Sequence, residues 1–406
     1  MLNLAAVASL LFGNLVMTIN QVNIASTFSF ISRDFDSSIY GLGILTSAFF
    51  LAYGAFEVPG GILAARIGPK RIVVYGAVAN TIGVFGSGLS PQFGLLTIFR
   101  FTAGFGFAFA FPSILVLIVR YYKKGSEGFG VGLMNVSTAL GSVAGLFGWA
   151  VLAEVAGWRQ SLLGAGALDL SGVIVMAVMI PADRISPHFS LKIGHLREII
   201  TNRALAVLSI ALFGIGSAYG LVINFMVYYL EQRLGFAAGT AGLISSVTAV
   251  LPIISAPVMG RVFDRIRNVK ALLLVPAGII TVGVGLASID SVYASLATVT
   301  LVGLASGAVF CVGLATARDV ASSNPEYESL TVAWVDSFSL LGSFASSLYF
   351  SVLVVGLGYP VAWLIGGSAS IVLALPVLMV ANREFKGRSK GEVVRDPARQ
   401  VTDDPL

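Results

Sequence analysis

The sequence predicts an all-α integral membrane protein: twelve transmembrane helices in two pseudo-symmetric six-helix bundles. Three observations predict it. Of 406 residues, 56% are apolar and only 11% charged, with a mean hydropathy of +0.90, whereas soluble domains are about 45–50% apolar and about 25% charged. Stretches such as "TIGVFGSGL" and "SGVIVMAVMI" are apolar or small on every side, as lipid-facing and helix-packing surfaces require. Non-helical spans would strand backbone groups in hydrocarbon. Finally, Gly61, Arg66 and Arg71 of "PGGILAARIGPKRIVVYG" recur as Gly260, Arg265 and Lys270 of "PVMGRVFDRIRNVKALLLV" at one constant offset, so one plan occurs twice.

Apolar runs of roughly 20 residues, broken at charge clusters, place the spans in order. The first, near 4–30, has no charge before it and exceeds a signal-peptide apolar region, so an uncleaved helix is expected. Spans 39–62 and 72–90 flank Arg66, Lys70 and Arg71. Span 93–119 ends at Arg120, Lys123 and Lys124, and 128–154 and 158–180 meet at the "GWRQSL" turn. Residues 181–203, "PADRISPHFSLKIGHLREIITNR", are the longest polar interruption, a linker between the halves 1–180 and 204–381. The second half repeats the pattern with 204–230, 238–259, 271–288, 291–317, 328–355 and 359–381. The charged tail 382–406 is expected to be disordered.

Short positively charged loops stay in the cytoplasm. With the N-terminus inside, all of the 25 Lys and Arg residues fall on the cytoplasmic side except Arg33, Arg159, Arg233 and the intramembrane Arg100. Both termini are therefore expected inside, in the plasma membrane. The net charge of +5 reflects the inner leaflet and not nucleic acid, for which no recognition pattern is present. Enzyme readings find little support. The one cysteine, Cys311, lies in a span, His188 and His195 sit in the linker, and no Walker loop occurs. No cofactor and no metal are expected.

The residues "GGILAARIGPKR" resemble the loop 2–3 signature of the major facilitator superfamily, and "GRVFDRIRNVK" resembles its weaker second copy. "RFTAGFGFA", from Arg100 to Ala108, is similar to the family's fourth-helix pattern. The resemblance implies a secondary transporter, taken as monomeric, with Gly61, Arg66, Gly68, Lys70 and Arg71 and their counterparts Gly260, Asp264, Arg265 and Lys270 as a gating latch. The first copy departs from the pattern, with Ala65 where the family has Asp. The family's latch carboxylate faces a helix N-terminus of the opposite half. For Ala65 that would be the segment carrying Glu326 and Glu328. Gly61 and Gly68 are expected to allow a tight turn and close helix approach.

Polar residues inside spans face the bundle interior. Asn14, Thr18 and Gln21 share one helical face, as do Asn135, Thr138 and Ser142, and Ser217, Asn224 and Tyr228. These stripes and Arg100 are the substrate-binding candidates, with helix–helix bonding as the alternative. Arg100 is the one cation within a span and needs compensation, either by an anionic substrate or by Gln21 or Asn23 of the first helix. Asp336, Asp169 and Glu57 are the proton-coupling candidates. Asp336 is expected on one face with Ser339 and Ser343, with Arg318 as its alternative partner, and Glu57 could belong to the latch.

Related proton-coupled anion carriers hold Glu seven residues after the fourth-helix Arg, where this chain has Phe107. The drug-antiporter glycine motif matches at Gly132, Gly141 and Gly145, with Leu146 in place of its Pro. Transport of a small organic anion, coupled to protons or not, leads. Drug efflux is second and a non-transporting sensor third.

Overall fold

The computed structural model describes residues 3–122, 126–182, 193–321 and 325–385. Most of the expected linker and tail lies outside them. The described chain is helical and contains no strand. The helices of the first half are α1 (Leu4–Val22), α2 (Phe28–Asp34), α3 (Ile39–Ile67), α4 (Pro69–Leu89), α5 (Phe93–Tyr121), α6 (Glu127–Val143), α7 (Trp149–Ala156) and α8 (Trp158–Met179). After α9 (Ile193–Thr201) come α10 (Arg203–Leu234), α11 (Ala238–Val250), α12 (Pro252–Ile266), α13 (Val269–Leu286), α14 (Val292–Val320) and α15 (Pro325–Ala374).

Eleven helical segments of the described residues are long and apolar enough to cross a bilayer. The last, Glu328–Met379, has 52 residues, about 78 Å at the rise of a helix against a hydrocarbon core of about 30 Å. It is two helices joined at Gly358, whose backbone (φ 81°, ψ 168°) is non-helical, with Pro360 opening the second. The eleven continuous segments and the expected twelve spans differ at this one place.

Three further expectations of unbroken helices are corrected. The span near 4–30 stops at Val22, turns through a 3₁₀ segment Ala25–Thr27 and resumes as α2. Its break is stabilised locally, because the hydroxyls of Ser26 and Thr27 donate to the carbonyls of Asn23 (2.7 Å) and Ile24 (2.9 Å). The fifth span contains a π-helical turn, Ala144–Gly148, between α6 and α7. The eighth is divided before Pro252, which cannot donate a ladder hydrogen bond, and it runs on to Ile266. Gly260, Asp264 and Arg265 thus lie in a helix rather than in a loop.

Helices α1 to α8 pack with one another, α10 to α15 do the same, and α3 joins the two sets by running along α15. Small residues permit close approach, as expected where hydrocarbon offers no hydrophobic driving force between helices. At Gly104 an added Cβ would lie 2.2 Å from the Phe49 carbonyl oxygen, and at Gly216 it would lie 2.2 Å from that of Ser339. Along the face that α15 turns toward α3, serine hydroxyls fold back on their own helix. Ser337 donates to Ala333 (2.8 Å), Ser347 to Ser343 (2.9 Å) and Ser351 to Leu348 (2.8 Å).

Candidate functional site

Hydrogen bonds Asn3–Tyr121, Arg203–Met379 and Lys270–Leu378 gather one end of the molecule, the terminal end. At the opposite, distal end Trp158 and Arg159 both reach Asp34, at 3.2 and 3.0 Å, from the turn at Gly157 (φ 90°). Here too the halves meet. The Ser29 hydroxyl donates to Glu231, Gln232 donates to the Ser29 oxygen at 3.0 Å, and the Gly239 amide donates to Glu154 at 3.4 Å. Phe28 meets Tyr228 edge to face, with ring centroids 6.3 Å apart. A Cβ at Gly242 would lie 2.1 Å from the Leu146 carbonyl oxygen of the other half, at the π turn. The contact encloses a crevice of about 350 Å³ that includes Ser29, Arg33, Glu154 and Glu231.

The first-helix stripe is divided between roles. Asn14 donates its amide to the Ser137 and Thr138 hydroxyls (2.9 and 2.8 Å), and Thr18 donates to the Asn14 carbonyl (2.7 Å). Both are buried; Asn14 bonds α1 to α6 within one half, and Thr18 bonds back within α1. Gln21 is half-buried at the end of α1. On α6, Ser142 donates to the Thr138 carbonyl (3.0 Å). Asn135 stays exposed, one and two turns before Ala139 and Ser142, and three turns before Leu146, which abuts the second half. Of the α10 stripe, Ser217 pairs with the Tyr349 hydroxyl (2.7 Å) inside its own half, and Tyr228 belongs to the distal contact. Asn224 is buried, and its amide nitrogen has no partner among the described residues.

Arg100 is 1% exposed. Its Nη1 donates to the Asn20 carbonyl (3.0 Å) and Nη2 to the Gln21 carbonyl (3.4 Å), while the guanidinium stands 4.7 Å from the centre of the Phe49 ring. The last carbonyls of a helix lack intrahelical partners and carry the negative end of the macrodipole. Arg100 therefore caps α1 where it breaks. The Asn23 side chain, expected as a partner, makes no hydrogen bond among the described residues. A buried pair missed by the sequence reading lies one turn deeper. Asn20 donates to Asn80 (3.0 Å), which donates to the Ala103 carbonyl (3.0 Å), linking α1, α4 and α5. The signal was available, since both are amides inside apolar runs. Phe107, in place of the family's Glu, packs 4.8 Å from Tyr53 and 5.6 Å from Phe111, centre to centre.

The three carboxylates fall into two environments. Asp169 accepts from the Thr81 hydroxyl (2.7 Å) between α8 and α4, within the first half. Glu57 of α3 and Asp336 of α15 come within hydrogen-bonding range of each other across the halves. Ser337 also donates to Glu57 (3.1 Å). Arg318, the alternative partner for Asp336, instead binds Glu328 at 3.2 Å. The expected shared face is corrected too, for Ser343 turns to α10 and donates to the Gly216 carbonyl (3.0 Å).

The two signature copies end helices. Arg66 and Arg265 occupy the last turns of α3 and α12, where a cation favours the dipole. Gly68 makes the tight turn, with φ 103°. Gly61 is the correction: nothing lies within 4 Å of its Cβ position, and the close approach belongs to Gly60, 2.9 Å from the Ala108 carbonyl oxygen. Asp264 pairs with Arg267 (3.8 Å) at the end of the same helix. Lys70 is half-buried and Arg71 exposed at the start of α4, and Lys270 donates to the Leu378 carbonyl (3.0 Å).

A family model described as Major Facilitator Superfamily matches residues 10–325 and 208–400. The chain belongs to the Major Facilitator Superfamily. As such it is a multi-pass membrane protein. Similar relatives include the "Probable sulfoacetate transporter SauU" of Cupriavidus necator, 22% identical over 65% of this chain and 66% of the relative. The "Probable galactarate/D-glucarate transporter GudP" of Escherichia coli is 23% identical over 57% and 59%. "Multidrug resistance protein MdtG" of Escherichia coli is 26% identical over 57% and 58%. The chain spans less than two thirds of the length of these superfamily relatives. A solved structure of a bacterial homologue to the human lysosomal transporter Spinster, described as inward-facing and unoccupied, superposes with a TM-score of 0.71. It is 18% identical and covers 94% of this chain and 96% of that one.

Proposed function

We propose that this superfamily member carries a small organic anion, a monocarboxylate or sugar acid, across the plasma membrane by alternating access, with both termini in the cytoplasm. One observation carries the reading. The buried Arg100 guanidinium is bonded to carbonyl dipoles and to no carboxylate among the described residues, so its full charge remains inside the first half and favours an anion. In the closed arrangement of the distal end the guanidinium acts through its field. Contact with a solute needs the end of α1 to move. The named substrates of two relatives, sulfoacetate and galactarate or D-glucarate, are anions of this kind.

The test is uptake into proteoliposomes of glucarate and sulfoacetate beside a neutral sugar and a lipophilic cationic dye. Anion uptake is expected, with Arg100→Gln weakening apparent affinity by about tenfold or more and Arg100→Lys less, because a charge-assisted pair contributes about 1.5–3 kcal/mol. Uptake of the dye alone, or anion affinity unchanged in both variants, overturns the anion reading in favour of drug efflux.

A further inference from the structure

Glu57 and Asp336 sit on different halves, yet their carboxyl groups are close enough to share a hydrogen bond. Such a bond needs a proton on one of the two, since a pair of ionised carboxylates at that range repels. The surroundings supply little else for a second negative charge. From α15, Ser337 donates to Glu57 Oε2 (3.1 Å). From α3 itself Tyr53 faces both carboxyls, and from α5 come the rings of Phe107 and Phe111 against Tyr53. The charged group acting on Glu57 is Asp336. Glu57 is 3% exposed and Asp336 half-buried, so water reaches the pair only from the Asp336 side.

We infer that Glu57 and Asp336 form one proton site straddling the two halves, and that loss of its shared proton separates α3 from α15 at this level. The inference rests on the alternating-access reading and gives it a coupling ion, independently of which solute is carried. The sign follows from linkage. The touching arrangement holds one more proton than the separated one, so acid favours contact and rising pH favours separation. One proton changes that equilibrium by up to tenfold per pH unit.

The test measures the distance between spin labels on α3 and α15, at Leu63→Cys and Ala333→Cys in a Cys311→Ser background, across pH 5–9 without solute. The expected result is a long-distance population that grows with pH in the parent and stays constant in Glu57→Gln/Asp336→Asn, whose amides keep the hydrogen bond and cannot ionise. A pH-independent parent distribution, or an unchanged pH response in the double variant, overturns the proposal. If the double variant does not fold, the parent titration alone decides. Because no solute is present, a negative result here leaves the anion reading standing, and a failed anion uptake assay leaves this site standing.

Discussion

At the scale of single residues, buried polar side chains hold this protein together inside each half. Asn80 joins Asn20 to the Ala103 carbonyl, and intramembrane hydrogen bonds average about 0.6 kcal/mol with a maximum near 1.7. Asn80→Ala removes two of them and strands Asn20, so a loss of about 1–2 kcal/mol is expected, read as a lower thermal midpoint in detergent. An unchanged midpoint would show that the network is idle. Asp290, between α13 and α14, makes a prediction about acid. Hydrogen bonds from Arg233 (2.5 Å) and Tyr229 (2.9 Å) hold its carboxyl below the usual range. Its contribution is present above the unfolded value near 3.9 and is lost as pH falls through the lower folded value. Asp290→Asn should therefore shrink the difference between midpoints at pH 7 and pH 3, and a difference as large as in the parent removes the pair from the account. Arg100 shows what a sequence conceals at this scale. Its need for compensation was legible, but its partners are main-chain carbonyls, which every residue carries and no side-chain pattern marks.

At the scale of elements, glycines have different consequences according to what they face. Gly104 packs against Phe49 within one half, whereas Gly242 packs against Leu146 of the other. Gly104→Val should cost folding, seen as loss of the monodisperse peak in size-exclusion chromatography. Gly242→Val should leave that peak intact while opening the distal end, seen as faster modification of a cysteine placed at Gln232 in a Cys311→Ser background. Equal behaviour of the two variants would remove the distinction. Helix existence was legible from hydropathy, and the turn at Gly68 from its glycine beside Pro69. The break after Val22 and the π turn at Ala144–Gly148 were not. Neither carries a proline or a charge to mark it, and the two are tied together by a tertiary hydrogen bond, Ser26 to the Gly145 carbonyl (3.0 Å), beside the local ones. Glu57 and Asp336 were legible separately, but their meeting depends on the packing of α3 against α15 and has no local trace.

At the scale of the whole molecule, the halves are pinned distally by few bonds, among them Ser29 with Glu231 and Gln232. If that end must open during a cycle, a Ser29→Cys/Gln232→Cys disulfide in the Cys311→Ser background should abolish uptake, and a reductant should restore it. Uptake that survives complete cross-linking would show that the distal end does not move. The serines of α15 give this architecture a mechanical property. Because Ser347 and Ser351 satisfy themselves on their own helix, and Gly43 opposes them on α3, that stretch of the seam offers few bonds to break when one helix slides past the other, beside Ser47 to the Phe344 carbonyl (3.0 Å) and Ser337 to Glu57 (3.1 Å). Such a seam has low friction. Its small side chains set how quickly the halves exchange positions and leave to the distal bonds and the carboxyl pair the choice of where they rest. Roughening the seam with a bulky residue, at Ser347 for instance, would slow turnover more than it would displace the resting balance.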